Sequence, residues 1–446
     1  MGVMPVGKLL FSMSLPMMVS QLVQALYNIV DSIFVSQINE NALTAVSLAF
    51  PIQMLIIAFA NGAGVGTNAL LSKALGERNQ DEANKVARHG ILLAAISYCI
   101  FLMVGLFLVK PFMRTQVTSA TDPQILEYGV QYLSIVCIFS CGIFTQIIFE
   151  RLFQSTGRTV YSMIIQGTGA IINLILDPIL IFGYFGLPAM GVAGAATATV
   201  LGQIIAGTMG VILHQRVNKE VHVELRGILR VEGPIIKRML LVGVPTTVMQ
   251  AIGSVMSYCM NRILIAFSST ATAVFGAYFK IQSFVCMPIF GLNSGMVPII
   301  AFNYGARKRD RIMQTVRLSI LFAECITILG FVAFQLFPAG LLGFFNASEE
   351  MLRIGIPALR TISIHFLLCG ACIVMGSVFQ AMGNGIYSAI VSFLRQIIVL
   401  LPAAYIFSKT IGLNAVWWAF PIAECVSLAV SVLLLMRIYR RIIAKL

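Results

Sequence analysis

Tyr27 and Asp31 stand four residues apart in LPMMVSQLVQALYNIVDSIFVS (Leu15–Ser36), and Asn173 and Asp177 stand four apart in NLILDPILIF (Asn173–Phe182). Residues at that spacing share a helix face, so each acid has a hydroxyl or an amide beside it. The surrounding residues are apolar. An aspartate at the centre of a membrane-spanning helix costs roughly 2.5–3.5 kcal/mol, so its presence calls for an explanation. Two carboxylates with amide and hydroxyl neighbours can take up protons, or hold a monovalent cation such as Na+. If the pair comes together, it exchanges protons as a unit rather than as two separate acids. Pro178, next to Asp177, removes a backbone hydrogen bond and frees a carbonyl one turn back, and is expected to bend the helix that presents the acid. The plainer alternative is an acid satisfied by a neighbour for packing alone.

The elements that must position these residues follow from composition. Of 446 residues, 59% are hydrophobic and 11% charged, against about 25% charged in a soluble domain. Twelve stretches, centred near residues 23, 57, 97, 138, 172, 203, 250, 286, 324, 366, 397 and 426, are apolar over the roughly 20 residues that a spanning helix needs. The short alternating segments of a membrane barrel are absent. The run from Leu9 continues past Val35, too long for the apolar core of a signal peptide. The expected fold is an all-α integral membrane protein.

The chain repeats itself. At a shift of 229 residues, Pro16 falls on Pro245, Gln21 on Gln250, Gly62 on Gly291, Gly66 on Gly295, Gly76 on Gly305 and Arg88 on Arg317. Further along, at a shift of 226, FQSTGRTVYS (Phe153–Ser162) lies on FQAMGNGIYS (Phe379–Ser388). Each half holds six helices that start on the same side, which makes the repeat parallel. The expectation is two six-helix pseudo-symmetric lobes around a central cavity, the amino-terminal lobe over 1–216 and the carboxy-terminal lobe over 235–446. A cytoplasmic linker over 217–234 joins them. Such lobes open a midplane site to alternate sides by rocking. Pro16 precedes the polar positions of helix one and reads as a functional bend. Gly62, Gly64 and Gly66 read as close-packing positions.

With both termini placed in the cytoplasm, 22 of the 30 lysines and arginines fall on the inner side, as the positive-inside rule requires. The net charge of +13 then meets anionic lipid headgroups, and nucleic acid is not needed as a partner. All nine cysteines lie in apolar spans and behave as small hydrophobes. No metalloprotease, phosphate-loop or nucleophile-elbow motif appears in the spans, so neither an enzyme nor a cofactor is expected. The carboxy-terminal half carries Lys280, Glu324, Arg395 and Glu424 at depth. Lys280, Arg395 and Glu424 are candidate cavity charges, with a structural pair between Lys280 and Glu424 slightly favoured over contact with a substrate.

The stretch Leu15–Ser36, with LTAVSLAFPIQ (Leu43–Gln53), NGAGVGTNALLSKALGERN (Asn61–Asn79), NLILDPILIFG and GVAGAATATV (Gly191–Val200), resembles the multidrug and toxic compound extrusion (MATE) transporters over nearly the whole chain. The resemblance implies a V-shaped two-lobe bundle that exports organic compounds in exchange for H+ or Na+. It matches the family's coupling acids to Asp31 and Asp177, neighbouring polar positions to Tyr27, Asn173 and Thr199, and the bending proline to Pro16. The acids that some members carry in the seventh and tenth helices are not matched. Gln250 and Asn261 are offered in the seventh and His365 in the tenth, which puts a sodium site in that lobe in doubt. The resulting expectation is a monomeric antiporter in a bacterial inner membrane, exporting amphipathic, often cationic, organic molecules. A lipid-linked oligosaccharide flippase or a metabolite exporter of the same superfamily is the alternative.

Overall fold

The computed structural model describes residues 1–116, 123–223, 230–345 and 347–446. Residues 224–229 of the expected linker, Arg226 among them, lie outside the described residues. The long helices are α1 (Val6–Ser36), α2 (Glu40–Gly76), α3 (Gln80–Gln116), α4 (Pro123–Ile138 and Cys141–Ser155), α5 (Thr159–Phe182) and α6 (Val192–Val217). They continue as α7 (Gly233–Ile265), α8 (Ser269–Gly305), α9 (Arg309–Leu336), α10 (Glu349–Ala381), α11 (Gly385–Thr410) and α12 (Leu413–Lys445). Eleven are single helices long and apolar enough to cross a membrane, and α4 makes a twelfth as two segments bent by 44°. No strand occurs among the described residues. The protein is thus an all-α, multi-pass membrane protein.

The bend in α4 has a local cause. Gly142 lies so close to α6 that a Cβ would sit 2.7 Å from the Ile204 backbone nitrogen. The Ser140 hydroxyl donates to the Cys137 carbonyl at 2.8 Å, which satisfies an acceptor where the helical ladder is interrupted.

The internal repeat is visible down to single hydrogen bonds. Gly157 and Gly383 both adopt left-handed backbone, with φ of 79° and 78°, a conformation glycine takes without steric cost. Arg158 N–H reaches the Phe153 carbonyl and Asn384 N–H the Phe379 carbonyl, both at 2.8 Å. Ser162 and Ser388 then donate to the carbonyls of Glu150 and Gly376, at 2.8 and 2.6 Å. The starts of α2 and α8 match as well. Asn39 caps Ala42 N–H, and Ser268 caps Ala271 N–H.

Two compact units emerge from the packing. One is Val19–Thr247, and the other joins Met1–Met18 to Val248–Leu446. The boundaries fall inside α1 and α7, each two residues past a proline, Pro16 or Pro245. Within Val19–Thr247, the first half of α7 lies on the glycine seam of α2. A Cβ on Gly66 would sit 2.5 Å from the Met239 carbonyl oxygen, and one on Gly62 would sit 2.8 Å from that of Gly243. Within the other unit, the first half of α1 lies on α8. Cβ atoms on Gly291 and Gly295 would come to 2.5 Å from Met18 Cα and 2.8 Å from Ser14 N.

Gly62 and Gly66 are therefore close-packing positions. A valine at position 66 must push backbone aside, and overpacking of this kind costs about 1–3 kcal/mol. Gly66→Val is expected to lower the melting temperature in detergent well below that of Gly167→Val, whose site has open space around it. Equal melting temperatures for the two variants would refute the reading of the α2 seam.

Candidate functional site

Asp31 and Asp177 each stand five residues before the end of their helix. They therefore share a depth of about 7.5 Å from those ends. Both lie in the unit Val19–Thr247. Their carboxyl groups come within hydrogen-bonding reach of each other. Asp177 is fully buried, and Oδ1 of Asp31 is buried without a partner.

The second line of contact runs from α5 to α6. With its amide nitrogen donating to Asp177 Oδ2 at 3.3 Å, Asn173 accepts from the Thr199 hydroxyl at 3.2 Å and from Thr199 N–H at 3.1 Å. Small residues bring this about. A Cβ on Gly194 would sit 2.5 Å from the Leu180 carbonyl oxygen, and one on Gly202 would sit 2.7 Å from that of Gly169. The α5 and α6 backbones thus approach closely on either side of Thr199, so a short side chain suffices to span the gap. Pro178 sits inside α5, which continues to Phe182.

The polar line extends further along α1 than the sequence reading took it. Gln24 donates to the Tyr27 hydroxyl at 3.1 Å, and Gln166 of α5 donates to Gln24 Oε1 at 2.8 Å. The Ser20 hydroxyl donates to Gln166 in turn. Ser20, Gln24, Tyr27 and Asp31 are spaced 4, 3 and 4 apart, and Gln166, Asn173 and Asp177 are 7 and 4 apart. Each set forms one helix face, a signal present in the sequence. Tyr132 has no such signal. Its buried phenol accepts from Gln53 at 2.8 Å and lies near Asp31, Tyr27 and Asp177. Five of the expected residues, Tyr27, Asp31, Asn173, Asp177 and Thr199, are thus brought together, and Ser20, Gln24, Gln166, Tyr132 and Gln53 join them.

The carboxy-terminal charges pair differently from the sequence expectation. Glu424 of α12 binds Arg395 of α11, Oε2 to Nη1 at 3.3 Å, while Lys280 lies 5.9 Å from the centroid of the Phe345 ring. The pairing of Lys280 with Glu424 is corrected accordingly. The physical reason is local. Arg395 falls in a π-helical segment, Leu394–Leu400, where the wider turn shifts side-chain register, and sequence periodicity does not report that shift. Glu324 is met by neutral donors, the Ala371 N–H at 2.7 Å and the Thr327 hydroxyl at 3.3 Å. His365 touches the Ile362 carbonyl at 2.6 Å. No group of three or more metal-ligating His, Cys, Asp or Glu side chains occurs among the described residues.

A twelve-span helical bundle with an internal parallel repeat and an acid pair in its first half belongs to the secondary transporters in architecture. The MatE family model matches residues 16–179 and 245–406, well over half of the chain. The chain belongs to the MATE family, whose members are transporters and not enzymes. It is 26% identical over 427 residues to the multidrug export protein MepA of Staphylococcus haemolyticus, covering 94% of this chain and 91% of that one. It is 25% identical over 431 residues to an FAD transporter of Shewanella oneidensis, covering 94% and 92%. A multidrug resistance MATE family transporter solved in an outward-facing conformation matches with a TM-score of 0.91 at 27% identity, over 99% of this chain and 97% of that one.

Proposed function

We propose that this protein is an antiporter that exports amphipathic organic compounds, often cationic, in exchange for H+ or Na+ bound at Asp31 and Asp177. The observation that carries this reading is the approach of two carboxylates on α1 and α5, that of Asp177 fully buried, with the Asn173–Thr199 link beside them. An acid pair with no basic partner among the described residues gains by taking up a cation and is ready to lose it when water reaches it. Asn173, Thr199 and Tyr27 orient the carboxylates and supply neutral oxygens for the cation. Pro16, and Pro178 beside Asp177, let α1 and α5 adjust as the site loads. The similarity to MepA supports export of drug-like compounds.

The drive suffices. One charge moving through 100 mV yields roughly 2.3 kcal/mol, and a tenfold ion gradient about 1.4 kcal/mol. The protein acts as a monomer, with membrane lipid around it and both termini in the cytoplasm of a bacterial inner membrane. The distribution of basic residues supports that orientation.

A second reading, export of an anionic metabolite, is favoured by the comparable similarity to the FAD transporter. Everted membrane vesicles separate the alternatives. Uptake of a fluorescent cationic dye is expected when the vesicle interior is acidified or loaded with Na+, and whichever gradient works names the coupling ion. Gradient-driven uptake of FAD but not of dye would favour the second reading. Dye uptake that ignores both gradients would end the antiport proposal.

A further inference from the structure

A cavity of 610 Å³ opens in the unit Val19–Thr247, away from the acid pair, among α3, α4, α6 and the segment that follows α6. None of Asp31, Asp177, Asn173 or Thr199 lines it. Its long part is apolar, with Ala94 of α3, Phe144 and Ile148 of α4, and Val211 of α6 among the walls. From Cys141 to Phe149 along α4 it extends about 12 Å. Its other end is polar and basic, where α6 finishes and Asn218, Lys219 and His222 follow.

Two buried polar side chains at that end are incompletely satisfied. His214 and Asn218 are 4% and 3% exposed. The Asn218 amide nitrogen meets His214 Nδ1 at 3.2 Å. With the amide donating, the ring hydrogen is on Nε2, and that atom is buried without a partner, as is Asn218 Oδ1. The ring is held in place by Phe149 and Phe153, at centroid distances of 5.4 and 6.0 Å. The ring lies by the Val221 carbonyl with no well-formed hydrogen bond at Nε2. Lys219 and His222 line the same cavity, so this end offers ring N–H groups and an ammonium to an anionic oxygen. The acidic neighbour does not compete for the position, because Glu220 pairs with Arg158 at 3.7 Å.

We infer that this cavity holds one anionic phospholipid, with an acyl chain along the α3–α4–α6 walls and its phosphate at His214, Lys219 and His222. The inference uses the orientation proposed above, which puts the basic end at the inner headgroup layer where anionic lipids reside. An apolar tube that ends in a donor cluster at headgroup depth fits a lipid better than a soluble anion, which would leave the tube empty. The bound lipid would brace the end of α6 against α3 and α4 where the chain leaves the amino-terminal helices.

Native mass spectrometry of the full-length protein tests this. Phosphatidylglycerol, phosphatidylcholine of the same acyl chains and glycerol 3-phosphate would be titrated in turn. One saturable phosphatidylglycerol adduct is expected, with weaker phosphatidylcholine binding and no adduct with glycerol 3-phosphate. Exchanging the exposed residues in the double variant Lys219→Gln, His222→Gln should lower phosphatidylglycerol affinity about fivefold or more, bringing it toward that of phosphatidylcholine. Ala94→Phe, which fills the tube, should remove the tight adduct. Equal binding of the two lipids by the unmodified protein would overturn the inference. So would an unchanged affinity in the double variant, whose surface positions leave folding intact, or displacement of the lipid by glycerol 3-phosphate.

Discussion

Asp31→Asn and Asp177→Asn are each expected to reduce gradient-driven export to the level of vesicles lacking the protein, with the folded protein still present in the membrane. Asparagine keeps the shape of aspartate and can still hydrogen-bond, so α1, α5 and α6 should remain packed. What it cannot do is change charge state. A proton that binds and leaves, or an Na+ that needs a negative oxygen, has no counterpart on an amide. Asp177 carries the greater structural load because it is fully buried and takes a hydrogen bond from Asn173. Its replacement is therefore expected to lower the melting temperature slightly more than that of Asp31, which has a buried oxygen without a partner. The readout is dye uptake into everted vesicles, normalised to the folded protein measured by size-exclusion chromatography. Normal coupled uptake by both variants would mean that the acids serve packing and that coupling lies elsewhere.

Arg395→Met should have the largest effect on stability. Glu424 has a side-chain exposure of 4%, its Oε2 is held by Arg395, and its Oε1 has no partner. Removing the guanidinium strands a buried carboxylate, a change worth about 3–5 kcal/mol. The 29% exposure of the Arg395 side chain points to the lower end of that range. The double variant Arg395→Met, Glu424→Gln should recover most of the loss, since no charge is then left unpaired. Thermal melting of the two single variants and the double variant forms a closed cycle. Additive losses would show that the two residues act independently. If the double variant melts normally yet exports nothing, the pair also serves transport.

Much of this protein was legible in its sequence because a membrane leaves few choices. Backbone polar groups in lipid must pair within the segment, so long apolar runs such as Val6–Ser36 and Glu40–Gly76 become helices whatever their neighbours. The repeat was equally plain. Pro16 and Pro245 each stand two residues before a boundary between the compact units, and FQSTGRTVYS and FQAMGNGIYS share backbone conformations and hydrogen bonds. The acids stood out because charge is costly in those runs.

Tertiary structure alone decided which side chains meet. Helical period places Tyr27 with Asp31 and Asn173 with Asp177, but the link from Asn173 to Thr199 depends on how closely α5 approaches α6 at Gly194 and Gly202. Tyr132 and Gln53 enter from α4 and α2 with no periodic signal. The replacement of Lys280 by Arg395 as the partner of Glu424 follows from a π-helical segment that no spacing rule anticipates. Period and hydropathy are properties of one helix at a time. Partners across helices are set by backbone separation and local winding, which only the folded chain possesses.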